Sequence, residues 1–597
     1  MRKFLKPVKV SLLLTVVLAG ALVLAGCDTG GNGTPTVRLD YDIVVVGAGA
    51  AGMPAALAAS DALGAEGRVL LIEASGTVGG ALGIAGGGSN LDIVNSNYPR
   101  GSITLQWGAE WPSGGAHPRN NPAAHPTTPN VPNWPKLSRV AAYADFVRWD
   151  VLNAAGRWDI ASTGTRGGTT AMNFPNPAGT DAAAGGGPPA GPHGVNSMLA
   201  RIEGRANITL LLDTKGHTLR TEGGNVIGVL ASRTAGASRN YIITAERTIL
   251  ATGGFLANNQ MMETRLAWDA LLTGETADGA AGAPVVNPGL RELLRHGNDG
   301  WYRGVVPRFH DGHGIQMVYY AGGAFTDLWM PGLAENVGGF SLEFANALPG
   351  VHAAVFRGPG WFNQAIGLQI QNAILVNANG EAVGTMPANF VFAWNNTLGL
   401  AMMNDGNPPF HVVFTTADPQ VNTTANMAAL NYAANMGGVW ANEVRRATNL
   451  AGIASAMGVN AETFNATIAA HNAVEGIAVQ YNDEAEAFFA VRFYPGALLS
   501  FGGVLADWRG RVISRANPAE RIGNLYAVGE MSYRDMFLRQ YAGGSAIALS
   551  ITQGFIAGTD AVRSIRNLPP LPSLVPGDTA EGFNEAFNPN VNLMWAP

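Results

Sequence analysis

The chain has 597 residues, of which 47% are apolar and 13% charged, which excludes wholesale disorder and leaves room for about three to four domains' worth of core. The formal charge of −6 falls to −10 once Arg2, Lys3, Lys6 and Lys9 are set aside, and no cluster of Lys and Arg remains, which argues against a nucleic-acid partner. One cysteine in the whole chain excludes an intrachain disulfide, a Cys-x-x-Cys-His haem attachment and a cysteine-ligated iron–sulfur cluster; the ten histidines form no His-Glu-x-x-His pattern, so no metal site is expected.

In chain order, the four basic residues precede a mostly apolar stretch from Val10 to Leu24, short for a membrane span and suited to a targeting segment. It ends in Leu24-Ala25-Gly26-Cys27, which resembles the lipobox of a bacterial lipoprotein. That resemblance implies cleavage before a diacylated Cys27 and a position on the extracytoplasmic side of the bacterial cell membrane, held by the lipid. The Gly-, Thr- and Pro-rich residues that follow read as a flexible tether.

Next comes Tyr41-Asp-Ile-Val-Val-Val-Gly-Ala-Gly-Ala-Ala-Gly52, then Arg68-Val-Leu-Leu-Ile-Glu73. Ile43 to Val46 suit a buried parallel strand. Gly47, Gly49 and Gly52 follow the Gly-x-Gly-x-x-Gly spacing: a tight turn, close approach of backbone to a pyrophosphate, and close packing of the helix predicted from Ala50 to Leu63. Glu73 ends the second strand, where the motif needs a carboxylate for a ribose hydroxyl. The unit predicts a bound adenine dinucleotide, with the phosphates at the helix N-terminus.

Ala74 to Ser89 is a glycine-dense loop suited to close approach of a flat ligand. Asn90 to Pro135 reads as a long loop whose Trp107, Trp111 and Trp134 either line an apolar entrance or anchor it. Asn207–Leu212, Thr218–Glu222, Val226–Ser232 and Tyr241–Ile249 read as a β-meander. Strands at Ala373–Asn377 and His411–Thr415, a helix at Ala461–Ala473, and a strand, loop and helix start through Asn524–Glu530 and Tyr541–Ser550 follow. The tail from Pro569 is expected to wrap the surface.

Four blocks, the fingerprint, Ala251-Thr-Gly-Gly254, Gly312-His-Gly-Ile-Gln-Met317 and Gly523-Asn-Leu-Tyr-Ala-Val-Gly-Glu530, together resemble the flavoprotein superfamily of fumarate reductase, urocanate reductase and 3-ketosteroid dehydrogenases. The resemblance implies an α/β fold: a Rossmann-like, two-dinucleotide-binding-type FAD domain with an inserted α+β substrate-capping domain. It divides the chain into signal peptide 1–26, tether 27–40, FAD domain 41–325, cap 326–487, returning FAD domain 488–568 and tail 569–597. It implies FAD held by Gly47, Gly49, Ala50, Ala51 and Gly52, by Glu73 and Ala74 at the ribose, and by Gly79, Gly80, Ala81, Gly86 and Gly87 along pyrophosphate and flavin. Ala251, Thr252 and Gly253 close the adenosine side, Gly529 and Glu530 take the ribitol, and Ser545, Ala546 and Ile547 aim a helix N-terminus at the flavin.

The chain departs from the fumarate reductases, which use a histidine after the Gly-Asp-Gly helix, a cap arginine and a substrate-clamping arginine. Here Thr326-Asp-Leu-Trp-Met-Pro-Gly-Leu-Ala334 has no histidine, Phe390 stands at the cap position, and the last segment reads Gln540-Tyr-Ala-Gly-Gly-Ser545. Without guanidinium groups a dicarboxylate has no partner. The same segments resemble the ketosteroid dehydrogenases, whose Tyr-Ala-Gly-x-Gly stretch implies that the Tyr541 hydroxyl and the Ser545 N–H polarise a substrate ketone. Thr385-Met-Pro-Ala-Asn-Phe390 lacks the cap tyrosine those enzymes use as base. Tyr541 reads as catalytic or as a core tyrosine, and Arg539 and Arg534 as substrate contacts or as ion-pair partners of Asp535 or Glu530. His313 reads as structural. The expected activity is addition or removal of hydrogen across a carbon–carbon bond beside a carbonyl, on a small molecule, with a separate electron donor or acceptor. The alternatives are an anaerobic reductase of a small unsaturated acid of enoate, urocanate or fumarate type, and a non-catalytic electron-transfer lipoprotein.

Overall fold

The computed structural model describes residues 34–84, 88–89, 134–152, 157–160, 172–173, 191–255, 258, 264–265, 285–286, 310–325, 330–332, 344, 347–349, 351–352, 372–383, 402, 405, 407–419, 421–483, 485, 487–493, 499–536 and 545–574. Cys27, Gly86, Gly87, Trp107, Trp111, Phe390, Arg539 and Tyr541 lie outside them.

The first strand, β1 (Thr36–Val46), ends in Ile43 to Val46, all essentially inaccessible to solvent, as a strand covered on both faces must be. It leads into α1 (Gly52–Leu63) and β2 (Val69–Ile72). After α2 (Trp134–Phe146) and α3 (Gly191–Glu203) come β3 (Ile208–Leu211), β4 (Thr214–Glu222), β5 (Asn225–Arg233), β6 (Asn240–Leu250) and α4 (His313–Tyr320). The next segment supplies β7 (Ile374–Val376), β8 (Phe410–Thr415), α5 (Thr424–Ala434), β9 (Val444–Ala447), α6 (Leu450–Met457), α7 (Ala461–Asn472) and β10 (Phe488–Phe493). The chain closes with β11 (Arg511–Ile513), β12 (Arg521–Ala527) and α8 (Ser545–Ile565).

An eight-stranded sheet runs β11-β12-β5-β6-β1-β2-β3, with β4 paired to β5. Its core, β12, β6, β1, β2 and β3, is parallel throughout. β6 pairs along its first half with antiparallel β5 and at its end with β12, so a strand from late in the chain completes the first domain. The expected meander is corrected here. β4, β5 and β6 do run antiparallel in succession, but Ile208–Leu211 lies parallel to β2, because α3 carries the chain back over the sheet and leaves β3 pointing the same way as β2. Trp134, assigned to a loop, opens α2; Pro135 sits in the first turn, where a missing N–H costs nothing.

Helix α8 crosses α1 at very short range. A Cβ on Gly554 would stand 2.1 Å from Ala51 O, and one on Gly558 2.3 Å from Ala55 O, so a side chain at either position would force the two helices apart. The smaller sheet, β7-β8-β10-β9, is antiparallel. β10 is hydrogen-bonded between β8 and β9, so this sheet extends to Phe493. At the start of the tail Pro569, Pro570, Pro572 and Leu574 are exposed, while Leu571 between them is buried and its N–H donates to Asp560 Oδ1 at 3.1 Å; Asp560 takes two bonds from Arg511 at 2.7 and 2.9 Å.

Candidate functional site

A cleft runs along the carboxyl ends of β1, β2 and β6, where parallel α/β sheets place their ligands. The fingerprint glycines divide their work there. Gly47 has φ +99°, and a Cβ on it would meet Ala251 O at 2.4 Å; a Cβ on Gly52 would meet Gly47 O at 1.7 Å. Both are fixed by the fold. Gly49 differs: its nearest neighbour would be Gly79 O at 3.9 Å, and it lines the cleft, so its missing side chain leaves a cradle for a ligand. The N–H groups of Ala50 and Ala51, ahead of α1, meet no acceptor among the described residues. A pyrophosphate fits that cradle, bonded by amides at a positive helix end.

Glu73 lies on the cleft wall. Its Oε2 accepts from Ala48 N–H at 2.7 Å and its Oε1 from Ser75 N–H at 2.9 Å. Burial raises its pKa and those amides oppose the rise; each oxygen keeps a lone pair for a ribose hydroxyl. Ala74, Gly80, Ala81, Ala251, Thr252, Gly253 and Gly529 also line the cleft. Gly79 stands behind it, its N–H bonded to Ala48 O at 2.8 Å.

Glu530 is held in a network that the sequence did not reveal. Its Oε1 accepts from Ser500 N–H at 2.6 Å and from Ser500 Oγ at 3.2 Å, while Phe255 N–H donates to Ser500 Oγ at 2.6 Å. Its Oε2 lies 3.0 Å from His310 Nε2 and Gly254 N lies 2.7 Å from the same nitrogen, which either donates to the carboxylate or accepts from the amide, one ring nitrogen serving a single role. A Cβ on Gly254 would stand 2.0 Å from Ser500 Oγ, and one on Gly253 2.7 Å from the His310 ring; the glycine pair after β6 makes room for this cluster. The only hint in the sequence was a histidine two residues before Gly312.

Among the described residues Asp535 is bound by Lys136 Nζ at 2.9 and 3.2 Å, both partners buried, a lysine that α2 brings there from just past the expected loop. Ser545 opens α8 as expected, with Ala546 and Ile547 in its first turn, and Ser550, one turn further, lines the cleft. Tyr533 ties this turn down through its hydroxyl, which bonds Ala546 O and Ser550 Oγ. His313 has a structural bond, Nε2 to His217 O at 3.1 Å, yet it also lines the cleft with Lys215 and Asp311, neither of which the sequence singled out. Lys215 Nζ meets Asp311 Oδ2 at 2.7 Å.

Sheet, helix end, cradle and ribose carboxylate define a dinucleotide-binding flavoprotein of the doubly wound α/β class. The chain belongs to the FAD binding domain family, which matches residues 42–546. It is similar, at 23% identity over 87% of this chain and 77% of the relative, to the fumarate reductase (cytochrome) of Shewanella frigidimarina. In fold it resembles the 3-ketosteroid delta1-dehydrogenase of Sterolibacterium denitrificans, solved with 1,4-androstadiene-3,17-dione (TM-score 0.56, 17% identity, 88% of this chain and 100% of that one). It also resembles the 3-ketosteroid-delta4-(5alpha)-dehydrogenase of Rhodococcus jostii (TM-score 0.51, 16% identity, 88% and 97%). The protein is an FAD-dependent oxidoreductase.

Proposed function

We propose that the protein adds or removes hydrogen across a carbon–carbon bond adjacent to a carbonyl, at a site of ketosteroid-dehydrogenase type. The observation that carries this reading is Tyr541-Ala-Gly-Gly-Ser545, which runs directly into α8. Bound FAD supplies hydride acceptance or donation at N5. The Tyr541 hydroxyl and the Ser545 N–H bond the substrate ketone oxygen, drawing charge from the neighbouring carbon and acidifying it. Arg539 is the nearby cation. The two ketosteroid dehydrogenases of like fold and the absence of the fumarate-type arginines from this sequence support the choice.

The sequence relative named as a fumarate reductase favours a second reading, reduction of a small unsaturated acid by electrons from a separate donor. An anaerobic flavin titration separates the two. Reduction of the flavin by saturated ketones, or reoxidation by cyclic enones, supports the first; reoxidation by enoates alone overturns it in favour of the second. A flavin that responds to neither class identifies an electron carrier.

The lipid anchor at Cys27 is proposed on the lipobox alone. Cys27→Ser is expected to abolish incorporation of labelled fatty acid, and label retained in the serine variant overturns the assignment.

A further inference from the structure

At the end of the cleft beyond Glu73, four groups meet: Lys215 and His217 from β4, Asp311, and His313 at the start of α4. Thr214 N–H bonds Glu73 O at 2.7 Å, and Lys215 and His313 share the cleft lining with Glu73 and Thr252, so this corner adjoins the ribose carboxylate. It therefore faces the adenosine end of the dinucleotide. Most of its polar atoms are already used. Lys215 is paired with Asp311 Oδ2 at 2.7 Å, and Asp311 Oδ1 accepts His313 N–H at 3.1 Å. A carbonyl can only accept, so the 3.1 Å contact to His217 O puts the ring proton of neutral His313 on Nε2. Nδ1 is left as a bare acceptor, with no partner among the described residues, on a ring that lines the cleft. The docking of α4 fixes that ring, because a Cβ on Gly314 would meet Thr252 Oγ1 at 2.0 Å and the helix start is pressed against the Ala251–Gly253 loop.

We infer that His313 Nδ1 accepts a hydrogen bond from the 6-amino group of the FAD adenine and selects that base. Burial, and then the charge of Lys215, lower the pKa of His313, and burial, His313 and Lys215 lower that of His217, so both rings are neutral at pH 7. Asp311 and Glu73 are the carboxylates facing the corner.

The test uses the full chain stripped of flavin and loaded with FAD or with flavin hypoxanthine dinucleotide, whose base carries a 6-oxo acceptor where adenine carries the amino donor. At pH 7.5 the native protein is expected to bind FAD about tenfold more tightly, the weight of one hydrogen bond. In the acid range His313 becomes a double donor, so FAD binding weakens while binding of the analogue tightens. His313→Phe keeps a ring but no acceptor, and is expected to bind both dinucleotides equally, without opposed pH slopes. Equal binding by the native protein, which is also the result if Nδ1 serves a ribose hydroxyl, overturns the inference, as does discrimination retained in His313→Phe. A merely structural histidine would alter both affinities together.

Discussion

Gly49→Val is expected to abolish FAD binding while leaving the apo fold intact. The contrast with its neighbours sets the expectation. A Cβ at Gly52 would overlap Gly47 O at 1.7 Å, and one at Gly47 would press on Ala251 O at 2.4 Å from a φ of +99°, so substitutions there break the turn itself. At Gly49 the nearest atom to a Cβ is Gly79 O at 3.9 Å, ordinary contact, and the residue lines the cleft, so a side chain there takes up ligand space. What it displaces is the pyrophosphate. Loss of two amide bonds to an anion, at about 1.5 to 3 kcal/mol each, gives about 3 to 6 kcal/mol, a weakening of roughly a hundredfold to ten-thousandfold. The assay is fluorescence titration of flavin-free protein with FAD, alongside thermal melts of both apo forms, since bound FAD would itself raise the native protein's Tm. The apo melts should agree within about 0.5 kcal/mol. Native-like affinity in the valine variant would refute the cradle, and a collapsed apo melt would show that Gly49 serves the fold.

Three further outcomes follow from the structure. Gly554→Ala places a methyl 2.1 Å from Ala51 O and is expected to cost about 1 to 3 kcal/mol as overpacking, read from urea midpoints of the apo protein; an unchanged midpoint contradicts the close α1–α8 crossing. Buried His411, beside the charges of Arg492 and Arg445, has its pKa lowered from 6.5 to about 4, chiefly by burial. Between those values the unfolded chain binds a proton that the native chain does not, so stability is full above about pH 6.5 and falls on the order of 3 kcal/mol as pH drops to 4; His411→Leu should flatten that part of the denaturation profile. Tyr541→Phe should keep FAD and lower flavin reduction or reoxidation by substrate about a hundredfold, measured by rapid mixing, and an unchanged rate makes the tyrosine structural.

The cofactor half of the protein was legible because its constraints are local. The buried run Ile43 to Val46, the three glycines and Glu73 each owe their identity to backbone geometry within one βαβ unit, and the structure finds each in the place the spacing implied. What stayed hidden is non-local. Lys136 reaches Asp535, His310 reaches Glu530, and Ser500 bridges Phe255 to Glu530, pairings between segments far apart in the chain, which no period or spacing encodes. The misread β3 has the same origin: Ile208–Leu211 looks like any short strand, and only α3 before it decides that it runs parallel to β2.

The two kinds of constraint meet at the glycines after β6. In the sequence Gly253 and Gly254 read as a loop closing on the adenosine, a role for bare backbone. In the structure the space they leave is filled by His310, Ser500 and Glu530, and His310 and Glu530 themselves line the cleft, so the position of the loop is set by that cluster. Glu530 thus receives two bonds from Ser500 while His310 stands against its other oxygen. Glu530 itself lines the cleft, so its hold by Ser500 ties cofactor affinity to residues outside the pyrophosphate cradle. Variation at His310 or Ser500 would therefore act on FAD through the position of Gly253 and Gly254, an effect that the spacing of the fingerprint motif alone does not anticipate.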